Sequence, residues 1–144
     1  MTRHWVWGFL AAGLLAAFGV GWWTGAASAQ QASPTMVYEL RTYTTLPGRL
    51  PALNARFRDH TVKLFAKHGM KNVVYLTPMD GDKKDNTLVY LLAHESRDAA
   101  KKSFADFGAD PEWKAARDAS EKDGKIVEKV ESVFFVPTDY SPLK

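Results

Sequence analysis

Hydrophobic periodicity changes along this chain in an order that admits few folds. Met36–Thr44 (MVYELRTYT) alternates in period two and is rich in β-formers, so a strand is expected. Leu46-Pro47-Gly48 ends it. Leu50, Leu53, Phe57, Thr61, Leu64 and His68 then recur at helical spacing, and Gly69 stands where a left-handed C-terminal cap belongs. One helix over residues 48–68 follows. Lys71–Pro78 and Thr87–His94 read as strands joined by the polar run 80–86, hence an antiparallel hairpin. Ser96 suits the N-cap of a helix through Phe107, closed by Gly108. Asp110-Pro111-Glu112 opens a further helix to about Lys122: a capping acid, proline at the first position, then an acid near the positive dipole end. Asp123-Gly124 turns the chain into a last strand, Lys125–Val136.

The order is β-α-β-β-α-α-β, with the last two helices together filling one crossover. It predicts an α+β, ferredoxin-like split βαβ arrangement: a four-stranded antiparallel sheet with helices on one face. Placing Tyr38, Leu40 and Thr42 toward the helices would leave Glu39, Arg41 and Tyr43 on the open face, beside Val127, Val133 and Phe135. An open face with apolar residues calls for a cover. A second copy of the sheet would supply it, giving a homodimer around a shared cavity.

Residues 1–29 have a different character. They hold no acidic residue, and Arg3 and His4 are their only candidate positive charges. Trp5–Val20 is apolar with glycine interruptions, and Ala27-Ser28-Ala29 forms an A-x-A site before the polar segment from Gln30 to Pro34. That is the pattern of a secretory signal peptide. The alternative is an uncleaved anchor through residues 5–23, close to the roughly 20 apolar residues that span a bilayer. Its paired tryptophans (Trp5 and Trp7, Trp22 and Trp23) would suit the two interfaces. The expected organisation is a leader over 1–29, a linker over 30–35 and one domain over 36–144. The working domain is expected to be exported, periplasmic or secreted, with membrane association only if the leader is retained.

Composition narrows the chemistry. Without cysteine there is no disulfide, thiolate metal site or cysteine nucleophile. A net charge of +3 from 19 basic and 16 acidic side chains, with the signs mixed, argues against nucleic-acid binding despite a pI near 9.1. No P-loop, G-x-G-x-x-G, G-x-S-x-G or H-E-x-x-H occurs. Asp80, Asp82 and Asp85 lack the EF-hand order and read as a solvated turn.

Tyr38-Glu39-Leu40-Arg41-Thr42-Tyr43, His68-Gly69-Met70, Asp110-Pro111-Glu112-Trp113 and Pro137-Thr138-Asp139-Tyr140-Ser141-Pro142 together resemble the NIPSNAP family, in the right order across residues 37–142. The resemblance implies a ferredoxin-like domain pairing into a dimeric α/β barrel. It implies no settled reaction. The wider superfamily of such barrels includes cofactor-independent monooxygenases and small isomerases or lyases.

Candidate site residues follow from the pattern. Glu39, Arg41 and Tyr43 at i, i+2 and i+4 share one strand face, where Arg41 could hold an anion bidentately and Tyr43 donate a proton or hydrogen bond. The competing reading is that Glu39 and Arg41 neutralise each other or pair across the dimer. His68, at a helix C-terminus, could act as a general acid or base, or simply bond backbone. Tyr75 and Tyr90 are further cavity candidates, and Trp113 is either a packing anchor or a stacking platform. His60 and His68 stand about 12 Å apart along a helix, so no metal site is expected, and no cofactor is implied. Two functions fit: a binding module for a small molecule or partner protein, or a small cofactor-independent enzyme using Arg41, Tyr43 and His68.

Overall fold

The computed structural model describes residues 36–143. The leader, the linker and the alternative anchor over 5–23 lie outside the described residues. In chain order the elements are β1 (Val37–Thr45), α1 (Leu50–Arg56), a π-helical turn (Phe57–Thr61), α2 (Val62–Lys67), β2 (Lys71–Leu76), β3 (Thr87–His94), α3 (Arg97–Ala109), α4 (Pro111–Ser120) and β4 (Val127–Phe135). The strands form one sheet ordered β2-β3-β1-β4 with antiparallel neighbours. This is the α+β ferredoxin-like arrangement expected from the order of elements. Among the described residues no helix is long and apolar enough to cross a membrane.

Strand register decides which side chains meet the helices. Glu39, Arg41 and Tyr43 lie opposite Leu92, Tyr90 and Leu88 of β3, and opposite Phe134, Ser132 and Val130 of β4. Leu88, Tyr90 and Leu92 belong to the buried core. Glu39, Arg41 and Tyr43 are therefore on the helix-covered face, and the expected open-face placement is inverted. Alternation separates two sets of residues but does not say which turns inward, and β1 carries apolar side chains on both. Val127 needs the same correction for another reason. A register shift between Thr44 and Thr45 brings Val127 opposite Thr45, so it packs against the core instead of the open face.

The face away from the helices instead carries Tyr38, which is buried, and Leu40 and Thr42 with Val89, Leu91, Val133 and Phe135. On the other side, α1 and α3 pack over β3 and α2 over β2. The edge strand β4 has little helix above it and stays mostly exposed. Between sheet and helices lies an aromatic layer. Phe65 meets the rings of Phe57, Tyr90, Phe104 and Phe107 at centroid separations of 6.1, 5.9, 5.8 and 4.9 Å, within the range where edge and tilted packing is favourable.

The helices begin and end for identifiable reasons. The expected single helix over 48–68 is interrupted by the π turn, where the Val62 N–H reaches back to the Phe57 carbonyl and the Thr61 hydroxyl donates to the Arg56 carbonyl at 3.2 Å. At its end Gly69 has φ +78°, the Met70 N–H donates to Phe65 O and the Gly69 N–H to Ala66 O. That is a Schellman cap, closed by burial of Met70 and Phe65. Gly108 does not close α3, which continues through Ala109. Asp110 stops it, because Pro111 forces the preceding residue into an extended conformation.

Asp110 also begins α4. Its Oδ1 accepts the Glu112 N–H at 2.8 Å, while Oδ2 accepts from Lys67 Nζ at 2.8 Å and meets His68 Nε2 at 2.7 Å. The bonds from Lys67 and His68, with the Glu112 N–H, hold its carboxyl well below the usual 3.8. Stability from this carboxylate is thus present above that ordinary value and lost as pH falls below it.

Two outcomes follow from this core and this corner. Phe65→Ala should cost about 3–5 kcal/mol, seen as a lower urea midpoint with an unchanged m-value; a loss below about 1 kcal/mol would contradict the central place of that ring. Asp110→Asn should keep the cap but lower the melting temperature at neutral pH, and it should shrink the further drop seen below about pH 4. Parallel pH profiles for the two proteins would show that the Asp110 charge does not matter.

Candidate functional site

A cleft of about 430 Å³ opens between α3 and the β1–β4 pair. The sheet supplies Glu39, Arg41 and Phe134 to it, and α3 supplies Arg97, Asp98, Lys101 and Phe104. It exists where it does because β4 is an edge strand with little helix above it. Ser96, whose hydroxyl accepts the Ala99 N–H at 3.0 Å, starts α3 so that Arg97 and Lys101 stand one turn apart on the cleft.

Glu39 is 1% exposed, and three donors converge on it. Arg41 Nη1 lies 2.7 Å and Ser132 Oγ 2.6 Å from its Oε1, and His94 Nε2 lies 3.1 Å from Oε2. Burial pushes the Glu39 carboxyl up, but the bonds from His94 and Ser132 and the Arg41 charge outweigh it and hold it below its ordinary value. Burial works against the Arg41 cation too, yet the charge and hydrogen bond of Glu39 help to hold its pKa above the ordinary value. Both groups stay charged at any physiological pH. Glu39 and Arg41 do neutralise each other in part, as one of the two expectations had it.

That pairing leaves Arg41 incompletely used. Its guanidinium carbon stands 4.4 Å from the centroid of Phe104 and 5.8 Å from that of Tyr43, while its Nε is buried without a hydrogen-bond partner. Across the cleft, Arg97 stands 4.5 Å over Phe134. The walls thus pair aromatic faces with cations. His94, 1% exposed, packs its ring near Phe104 and Phe134 and leaves Nδ1 buried and unpartnered.

The other expected site residues scatter. Tyr43 packs on Phe57 and Tyr90 and lines a separate cleft toward α4. Tyr90 is wholly buried, with Tyr75 stacked on it at 5.4 Å, and neither lines the Arg41 cleft. Burial raises the pKa of both phenols, so they stay protonated. Tyr75 donates to Asn72, whose side chain in turn donates to the Val62 carbonyl, tying β2 to α2. His68 bonds a side chain, Asp110, where a backbone partner or an open cavity was expected. It does not converge with Arg41 and Tyr43. Trp113 packs on Phe107 at 4.4 Å, with Arg56 5.4 Å above its ring, and also lines the cleft toward α4. Among the described residues no group of three or more histidine or acidic side chains is arranged to hold a metal ion.

His94 and Ser132 were not singled out from the sequence as partners of Glu39. One signal was available for the first: His94 continues the inward set Leu88, Tyr90, Leu92 at period two. Ser132 had none, since its role depends on a register that only the folded sheet defines.

The NIPSNAP family model matches residues 38–142. A NIPSNAP family protein of unknown function from Agrobacterium tumefaciens is 27% identical at a TM-score of 0.67, over 78% of this chain and 97% of that one. A NIPSNAP domain protein from Burkholderia xenovorans is 23% identical at a TM-score of 0.62, over 74% and 98%. SnoaB, a cofactor-independent oxygenase from Streptomyces nogalater, shares the fold at a TM-score of 0.51 and 18% identity, over 75% and 98%. No curated protein matches. Four local motifs, the sheet order and a family match spanning nearly all the described residues agree, and the chain belongs to the NIPSNAP family.

Proposed function

We propose that this NIPSNAP domain is an exported, homodimeric binding module that holds a small anionic molecule in the cleft over Arg41. The observation that carries the reading is the state of Arg41. It is a permanent cation anchored on one side by Glu39, flanked by the Phe104 ring, with a buried donor unused. Such a group favours an anion with a flat apolar part. Arg97 and Lys101 add positive charge to the lining, against Asp98. Each protomer would own its cleft, on the helix side of its sheet, instead of sharing one between sheets.

The Glu39–Arg41 pair suits binding better than proton transfer. Glu39 is held low and Arg41 high, so both cleft groups move away from the neutral range that a general acid or base needs. The second reading is a small cofactor-independent enzyme. The fold shared with a cofactor-independent oxygenase and the unpartnered Nδ1 of His94 beside the cleft favour it. Export rests on the leader pattern of residues 1–29. Pairing rests on the open sheet face, where Leu76 is 54% and Val133 52% exposed.

Native mass spectrometry of the purified protein should show a dimer carrying an additional anionic mass. Arg41→Ala should weaken retention of that mass by about 10–100-fold, the worth of a charge-assisted hydrogen bond, with Arg41→Lys intermediate. Equal retention in all three proteins would return Arg41 to a purely structural pair. Separately, Val133→Lys on the open face should shift the sedimenting species from dimer to monomer without lowering helix content. A wild-type protein that sediments as a monomer at tens of micromolar would sink the paired-sheet proposal.

A further inference from the structure

The cleft toward α4 is a second, separate feature, and it shares no lining residue with the Arg41 cleft. Its volume is about 350 Å³, and Phe57, Phe65, Phe107, Trp113 and Val130 give it apolar walls. Phe57 and Thr61, the first and last residues of the π turn, both line it. A π turn inside a helix is uncommon and recurs at functional sites, because the change of pitch re-aims side chains. Here it turns an aromatic ring and a hydroxyl-bearing residue toward one cavity.

Arg56 is the polar group built into that cavity. The residue is 5% exposed, and its Nη1 donates to Ser120 Oγ and Glu121 Oε1, both at 3.2 Å. Its Nε is buried with no partner. Lys125 joins the lining and makes no salt bridge among the described residues, whereas Arg117 is engaged by Asp118. Cations therefore outnumber the single acid of the lining, Glu121. With Arg56 paired to Glu121 and Arg117 to Asp118, Lys125 is the uncompensated cation of the lining, which suits a monoanion better than a doubly charged phosphate.

We propose that this cleft binds an amphipathic carboxylate, its apolar body among Phe57, Phe107 and Trp113 and its head at Arg56 Nε and Lys125. The assignment is independent of any ligand over Arg41.

Calorimetric titration of the full chain with decanoate, decanol and decylammonium tests it. Decanoate should bind at least about tenfold more tightly than either control, because only it answers the charge. Arg56→Met should lose about tenfold or more of that affinity. Arg56 is buried and its replacement could disturb folding, so Val130→Trp provides the second test. Val130 is on the exposed edge strand, and the larger side chain should fill the cleft and abolish decanoate binding at an unchanged melting temperature. Decanoate binding that survives Val130→Trp would place the site elsewhere on the chain and overturn the proposal. Absence of binding by the wild-type protein, or equal affinity for decanol, would overturn it as well.

Discussion

Glu39 is a carboxylate almost wholly removed from water, and a buried charge is tolerable only if its partners arrive with good geometry. Those partners come from three neighbouring strands: Arg41 from β1 itself, His94 from β3 and Ser132 from β4. A slip of one residue in either ladder would turn every side chain of the moving strand to the other face and strip Glu39 of a donor. Removing one partner of such a buried pair typically costs about 3–5 kcal/mol. The polar cluster thus acts on the register of the sheet as much as on any ligand. Both clefts inherit their position from that register.

The aromatic layer converts register into shape. Tyr90 lies opposite Arg41 on β3 and receives Phe57 and Phe65 from the first helical segment at 5.2 and 5.9 Å. Phe104 and Phe107 of α3 then close on Phe65. Most of this mass lies over β2, β3 and β1, so the edge strand keeps open space above it. Cavities form along that edge because the helices end, and not because the core is underfilled. The two openings differ in chemistry: one meets an ion pair, the other an aromatic slot with a cationic side.

Much of this architecture was legible in the chain. β3 begins at Thr87 and ends at His94, as the apolar run after the polar turn 80–86 indicated, and Gly69 caps its helix as its position suggested. Local rules suffice for such features because they involve residues within a few positions of one another. The inverted face of Glu39, Arg41 and Tyr43 is a different kind of information. It depends on which partner strand is more apolar on its inward side, which β1 alone cannot report. Val127 was misplaced by a single shift at Thr44–Thr45, and a shift of one residue leaves no compositional trace. The π turn was hidden for a similar reason, since Phe57 and Thr61 fit helical spacing whether or not the pitch changes. Gly108 misled because glycine commonly ends helices, whereas Pro111 two residues past Ala109 exerted the stronger constraint. The scattering of Tyr43, His68 and Tyr90 has the same origin: convergence in space is a property of packing, not of any one segment.

Asp110 joins α3 to α4 with no linker beyond itself. In a helical corner of several residues, small changes in one helix are absorbed by torsions between them. Here one residue's backbone angles carry the whole change of direction, and its carboxylate is also bolted to the end of α2 through Lys67 and His68. An inserted residue at this point would replace the single extended residue that sets the angle between α3 and α4, pulling Trp113 off Phe107 and Glu112 out of reach of Lys63. The corner has no slack. The exposed hairpin tip near Gly81 could lengthen without disturbing a helix, while this junction behaves as a rigid elbow that ties α3 and α4 to the end of α2.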